Sequence, residues 1–152
     1  DEITGGGIAA SQVIATGAIA SGTAYAQYTS LWRGLNEKIR TKGATIHTSF
    51  SNYEKLMDDY EDKIKKNFEQ VDGITYLAKT DRKCQILPVN WLSGSGRLIA
   101  TPGQNLWMGT DQTSDMNTMK AIEKMYTLQL GMSFMIGFQI ADLEVLAVND
   151  QA

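Results

Sequence analysis

The chain contains one histidine and one cysteine, the side chains best suited to acid–base and nucleophilic chemistry. A base–nucleophile pair would require His47 to lie beside Ser49, Ser51 or Cys84. No motif joins these residues, and a lone histidine on a short strand is typical of a structural side chain. Cys84 opens a predicted strand without any signature around it, which favours a small core residue. We therefore predict structural roles for both His47 and Cys84.

Carboxylates cluster in two places. Asp58 and Asp62 are four residues apart on one helix face, as metal ligands could be, in a run that also contains Asp59 and Glu61. Lysines border this run, so the pattern predicts a solvated helix face. Asp111 and Asp115 lie in a polar segment without the glycine at the sixth position of a calcium loop. The sequence therefore predicts no metal site.

Two segments have the composition of an anion site. Residues 93–97 read Ser-Gly-Ser-Gly-Arg, but a phosphate loop should lead into a helix, and this one leads into a predicted strand. The basic residues Arg33, Lys38, Arg40 and Lys42 lack interleaved exposed aromatics, so they indicate a helix surface and its carboxyl end. We predict no catalytic, cofactor-binding or metal residues, and no enzyme.

Composition restricts the class of protein. The 152 residues are 43% hydrophobic and 20% charged, as in an ordinary globular domain. The net charge of −3 argues against a strongly basic nucleic-acid binder, although a local basic patch remains compatible with it. No run is long and apolar enough for a membrane span, and residues 8–26 lack the basic start of a signal peptide. Because residue 1 is Asp, we expect a processed chain or a fragment of a longer one.

The first half of the chain reads as helix, strand, helix. Apolar residues at helical spacing predict a helix over residues 23–42, with Gly43 as a left-handed stop. Residues 44–48 are short and β-prone. Ser51 and Glu54 have the spacing of a capping box, which predicts a second helix over residues 52–66. Two apolar helix faces need a sheet to cover them.

The second half of the chain has the residue pattern of β-strands. Strands are predicted at 84–89, 97–101, 104–109 and 143–148, and Pro88 places the end of its strand at an edge or a bulge. Residues 8–20 are expected to be extended, and Asp72-Gly73 is a turn signal before a short strand at 74–77. Apolar residues alternate from Met132 to Ile140, which indicates the clearest strand. The predicted class is α+β with mostly antiparallel pairing.

The order of these segments resembles that of tailed-phage major capsid proteins. Residues 42–49 and 52–56 are similar to that family's strand, turn and helix block. Residues 84–89 resemble its strand ending in Pro-Val. Residues 97–111 carry Ala-Thr-Pro, Asn-Leu and Gly-Thr-Asp in the order found in phages that infect Bacteroidetes. The resemblance extends from about Gly22 to the end of the chain.

The resemblance implies the Hong Kong 97 phage capsid fold. Residues 1–22 would be a glycine-rich entry segment, 23–110 an axial domain of a sheet flanked by helices, and 142–152 the last axial strand. Residues 111–141 would form the long β-hairpin of a peripheral domain, with its turn near residues 121–125. The family's amino-terminal arm, extended loop and spine helix find no match in the first 22 residues, so we expect a carboxyl-terminal portion or a truncated relative.

The function implied is structural. The chain would assemble into hexamers and pentamers of an icosahedral shell, in the virion and in the host cytoplasm during assembly. Its partners would be neighbouring subunits, portal or decoration proteins, and packaged double-stranded DNA on the inner face, without a membrane or cofactor. Two alternatives remain open: an encapsulin-like shell protein of the same fold, and a small α+β ligand-binding or enzymatic domain.

Overall fold

The structure is a computed structural model that describes residues 8–64, 69–110, 119–124, 126–132 and 136–151. The chain divides into two compact units. The sheet unit comprises Asp1–Asn105 with Asp142–Ala152, and the ribbon unit comprises Leu106–Ala141. None of the helices in the described ranges combines the length and apolar composition needed to cross a bilayer.

The predicted first helix is two helices, α1 at Ala24–Gly34 and α2 at Glu37–Lys42. The prediction of one continuous helix was wrong because Leu35 has an extended backbone and Asn36 starts a new helix. The Asn36 side chain accepts a hydrogen bond from the backbone N–H of Lys38 at 3.0 Å, as a helix N-cap does. The apolar stripe nevertheless keeps one direction, since Tyr28, Trp32 and Ile39 are all buried.

Gly43 ends α2 with φ 96° and ψ 150°. Its φ is positive but its ψ is extended, so Gly43 does not have the predicted left-handed helical conformation. Its conformation is one that glycine adopts more readily than residues with a side chain do. A Cβ at this position would lie 3.0 Å from the carbonyl oxygen of Lys83. Close approach to the next strand is therefore a second reason for glycine here.

Helix α3 runs from Phe50 to Ile64. The expected capping box at Ser51 and Glu54 was wrong by two residues. Ser49 caps the helix instead, because its hydroxyl accepts the backbone N–H of Asn52 at 3.3 Å. Spacing alone did not show which of the two nearby serines caps the helix.

Seven strands of the described residues form one sheet. Their bounds are β1 Val13–Ile14, β2 Ala44–Thr48, β3 Glu69–Val71, β4 Ile74–Tyr76, β5 Cys84–Pro88, β6 Ile99–Thr101 and β11 Ala147–Asn149. Across the sheet they lie in the order β1-β11-β6-β2-β5-β4-β3. Among these described strands the pairs β1–β11 and β2–β5 are parallel and the other pairs are antiparallel. The predicted α+β class with mostly antiparallel pairing is confirmed.

Several sequence expectations for the sheet need adjustment. Residues 8–20 contribute a 3₁₀ turn at Ala10–Gln12 and the short strand β1, rather than a longer extended run. Pro88 is the last residue of an interior strand; it lies opposite Thr48 of β2 but beyond the residues that pair with β4, so its end of the strand is an edge on the β4 side. The predicted strand at 143–148 begins as a 3₁₀ turn, Leu143–Val145, before β11.

Helices α1, α2 and α3 contribute to a core on one sheet face. Alternate strand residues point into it, including Ala44, Ile46 and Ala100, together with helix residues such as Leu31 and Leu56. The buried hydroxyls of Tyr28 and Thr48 lie 2.6 Å apart and join α1 to β2. The opposite face carries the other set of strand residues, His47, Leu87 and Ile99, which are cross-strand neighbours.

The ribbon unit contains four strands: β7 Leu106–Thr110, β8 Met119–Lys124, β9 Thr127–Met132 and β10 Ile136–Ile140. Strand β7 pairs with β10, and β8 pairs with β9, both antiparallel. Strands lie on both sides of a hairpin turn, but the prediction of a turn near residues 121–125 was wrong: residues 121–124 belong to β8, and the turn falls between Lys124 and Thr127. Residues 133–135 of the predicted Met132–Ile140 strand lie outside the described residues.

Candidate assembly surface

His47 lies on the sheet face opposite the helices and is 8% exposed. Neither ring nitrogen has a hydrogen-bond partner among the described residues. Burial lowers the pKa of the imidazole below its usual value, because the charged form loses solvation. Its ring centroid is 6.2 Å from that of Trp91, which is 67% exposed. His47 is a neutral, buried residue beside an exposed aromatic, and no nucleophile pairs with it in the described part of the chain.

Cys84 lies in the core on the opposite side of the sheet. It pairs with Ala44 in the β2–β5 register, and both side chains point towards the helices. Burial raises the pKa of the Cys84 thiol to about 12, so the thiol is protonated at neutral pH. This arrangement separates Cys84 from His47 by the thickness of the sheet and removes the possibility of a cysteine–histidine pair.

The acidic run on α3 splits into an exposed and a buried part. Asp58, Glu61 and Asp62 are exposed, in agreement with a solvated face. Asp59 is 2% exposed, so the prediction of a wholly solvated cluster was wrong. Its Oδ2 accepts the backbone N–H of Tyr25 at 2.8 Å, at the amino terminus of α1 where a carboxylate is favourable. Sequence reasoning missed this long-range cap because its partner lies 34 residues away.

The remaining sequence candidates that lie among the described residues do not form a chemical site. Ser95 accepts the backbone N–H of Arg97 through its hydroxyl at 3.0 Å, inside a turn that leads to β6. Asp111 and Asp115 lie outside the described residues. The described residues contain no group of three or more His, Cys, Asp or Glu side chains that could hold a metal ion.

The ribbon unit instead presents an exposed apolar face. In the β7–β10 register Met108 lies opposite Phe138, and Leu106 lies opposite Ile140. Because alternate residues of a strand share a face, these four side chains form one stripe, which we call the ribbon stripe. Met108 is 59% exposed and Phe138 is 78% exposed. The reverse face carries Trp107 opposite Gln139.

The ribbon stripe is the described feature that most strongly indicates a binding surface. Large exposed apolar residues that are contiguous mark interaction sites more often than single ones do. Part of this signal was readable from the sequence, since Phe138 and Ile140 belong to the alternating run. The contribution of β7 was missed, because Leu106 and Met108 join the stripe through the strand register, which sequence spacing did not give.

Comparisons with known proteins identify no relative for this chain. No family model matches it, no curated protein matches it, and no solved structure matches it.

Proposed function

We propose that this chain is a structural subunit of an icosahedral phage capsid with the Hong Kong 97 fold. The observation that carries the proposal is the ribbon stripe. An assembly protein needs apolar surface that remains exposed in the single chain and becomes buried between copies. The order of the sequence motifs at 42–56, 84–89 and 97–111 supplies the resemblance to capsid proteins.

The physical argument starts from the stability of a two-stranded ribbon. Such a ribbon is marginal in water unless a further strand, a helix or another chain covers its apolar face. Phe138 and Met108 are both more than half exposed, so the described contacts leave much of this face to solvent. Burial of the stripe against a second copy would remove that exposed area at about 25 cal/mol per Å².

Assembly into a shell multiplies a weak contact. Each subunit of a closed shell repeats the same contacts with its neighbours, so modest pairwise affinity gains strength by multivalency. The alternating strand residues of the ribbon fit a role in which a repeated surface contact is the working property. The ribbon is then the element through which one subunit reaches the next.

The test of the contact measures molar mass against concentration by sedimentation velocity. Phe138→Glu places a charge in the ribbon stripe, whereas Gln139→Glu places the same charge on the next residue and the opposite face. We expect concentration-dependent association of the parent chain, retained by Gln139→Glu and lost by Phe138→Glu. Equal association of both variants would remove the ribbon stripe as the contact.

The test of the shell itself is electron microscopy of particles purified from cells that produce the protein. We expect closed icosahedral particles that contain this chain and nuclease-protected double-stranded DNA. Closed particles filled with a protein cargo would favour the encapsulin-like alternative. A protein that remains monomeric in its source would contradict both shell functions.

A further inference from the structure

Basic side chains gather at the edge of the sheet where the parallel strands β2 and β5 begin. Helix α2 ends at Lys42, directly before β2, and Lys83 directly precedes β5. The two chain segments are joined there, since the backbone N–H of Ala44 donates to the carbonyl oxygen of Lys83 at 2.9 Å. The parallel pairing therefore brings two basic segments, about 40 residues apart in the sequence, to one edge.

Three neighbouring cavities lie along this edge. The first, of about 470 Å³, is lined by Trp32, Glu37, Arg40, Thr41, Lys79, Thr80, Asp81 and Lys83. The second, of about 270 Å³, shares Lys83 and adds Lys42 and Arg82. The third, of about 300 Å³, shares Lys42 and adds Lys38. We call their basic residues the basic rim: Lys38, Arg40, Lys42, Lys79, Arg82 and Lys83.

The charge of the basic rim is opposite to that of the chain. The cavities collect six of the 14 basic residues and two of the 17 acidic residues, Glu37 and Asp81. The surface around them is therefore positive on a protein whose net charge is −3. Concentrated charge of one sign in concave surface focuses the field and attracts ions of the other sign.

Arg40 lines the first of these cavities. Its Nε atom is buried and has no hydrogen-bond partner among the described residues. A buried guanidinium N–H without a partner is costly, and the described residues do not satisfy every donor of Arg40. Arginine is also the side chain that best matches the geometry of phosphate oxygens.

The loop before β5 carries three residues of the basic rim, Lys79, Arg82 and Lys83, and has an unusual backbone. Lys79, Asp81 and Arg82 all have positive φ angles, between 57° and 62°, although none is glycine. Hydrogen bonds within the loop hold this backbone. The backbone N–H of Lys83 donates to the carbonyl oxygen of Thr80 at 3.0 Å, and the Thr80 hydroxyl donates to the carbonyl oxygen of Leu77 at 2.5 Å. Non-glycine residues in this conformation persist where the surrounding structure enforces it. The cations are therefore carried on a preformed loop.

We propose that the basic rim binds a chain of phosphate groups, either a soluble polyphosphate or the phosphodiester backbone of a nucleic acid. Glu37 and Asp81 line the first cavity and oppose any anion there, so one isolated phosphate gains little. A ligand with several phosphates can contact Arg40 and Lys83 and continue to Lys42 and Arg82 in the second cavity. The site does not depend on the shell function proposed above.

The experiment is isothermal titration calorimetry of the full chain with two probes, inorganic triphosphate and a short DNA duplex. Saturable binding of triphosphate assigns the soluble source, and binding of the duplex alone assigns the nucleic-acid source. Arg40→Gln should weaken binding about ten-fold, as expected for one lost charge-assisted hydrogen bond. With the duplex, the slope of log affinity against log salt should fall by about one.

Matched variants separate binding from folding. Lys55→Gln removes the same charge from α3, where Lys55 donates to the carbonyl oxygen of Ile19 and lines none of the three cavities. It should leave affinity within about two-fold of the parent. Glu37→Gln and Asp81→Asn should each tighten binding several-fold, which damage to the fold would not produce. No saturable binding of either probe, or equal loss in Arg40→Gln and Lys55→Gln, would overturn the proposal.

Discussion

The sheet unit and the ribbon unit place their large apolar residues in opposite environments. Trp32 of the sheet unit is 8% exposed, whereas Trp107 of the ribbon unit is 65% exposed. The helices of the sheet unit cover one face of a seven-stranded sheet, while the described ribbon strands pair two by two. The sheet unit therefore has the contacts needed to stabilise a fold, and the ribbon unit has surface suited to binding.

The largest expected effect comes from the same substitution in both units. Trp32→Ala should cost about 3–5 kcal/mol in the free energy of unfolding, since it empties a buried site. Trp107→Ala should cost less than about 1 kcal/mol, as exposed positions generally do. Urea denaturation followed by circular dichroism measures both. Similar losses in the two variants would remove the distinction between the units.

A smaller effect tests how the helices of the sheet unit are joined. Asp59→Ala should cost about 1–2 kcal/mol, because the amino terminus of α1 loses the carboxylate that accepts the N–H of Tyr25. Asp58→Ala, its exposed neighbour, should stay within about 0.5 kcal/mol of the parent. Thermal unfolding compares the pair. A larger loss for Asp58 than for Asp59 would contradict the assigned cap.

The smallest effect concerns pH and His47. Its pKa is lowered in the folded protein, so below pH of about 6.5 the unfolded chain binds a proton that the folded chain does not. Stability should therefore fall as the pH decreases from about 6.5 towards the folded pKa, with a slope of at most about 1.4 kcal/mol per pH unit.

His47→Gln isolates this contribution from that of the carboxylates. The difference in the free energy of unfolding between the parent and His47→Gln should change between pH 7 and pH 5 as the histidine of the unfolded chain is protonated. Denaturant titrations at several pH values provide the measurement. A difference that is constant with pH would mean that the His47 environment favours the charged and neutral forms equally.

Much of the sheet unit could be predicted from local pattern. Strand β2 has the predicted bounds, and the Asp72-Gly73 turn joins β3 to β4 with both φ angles positive. The stripe of α1 and α2 is buried as expected. The cap at Asp59 could not be predicted from local pattern because its partner lies 34 residues away. The choice of Ser49 over Ser51 and the break at Asn36 are local caps, to the backbone N–H groups of Asn52 and Lys38, and residue spacing did not single them out.

The candidate surfaces were less predictable than the fold. Alternation from Met132 to Ile140 indicated a strand, but an alternating strand can bury or expose its apolar side. Phe138 is exposed because the described contacts leave that face of the ribbon uncovered, and Met108 joins it through pairing with β7. The basic rim likewise depends on the parallel β2–β5 pair, which brings Lys42 beside Lys83. The sequence showed the basic residues but not that the fold brings them to one edge of the sheet.

Hydrogen exchange at low and high protein concentration tests most directly whether the ribbon unit is a binding element. We expect the amides of β7 and β10 to gain protection at high concentration, while those of β2 in the sheet unit stay equally protected at both. Phe138→Glu should abolish the gain. Ribbon amides that exchange at the same rate at both concentrations, in a sample that associates, would show that the contact lies elsewhere.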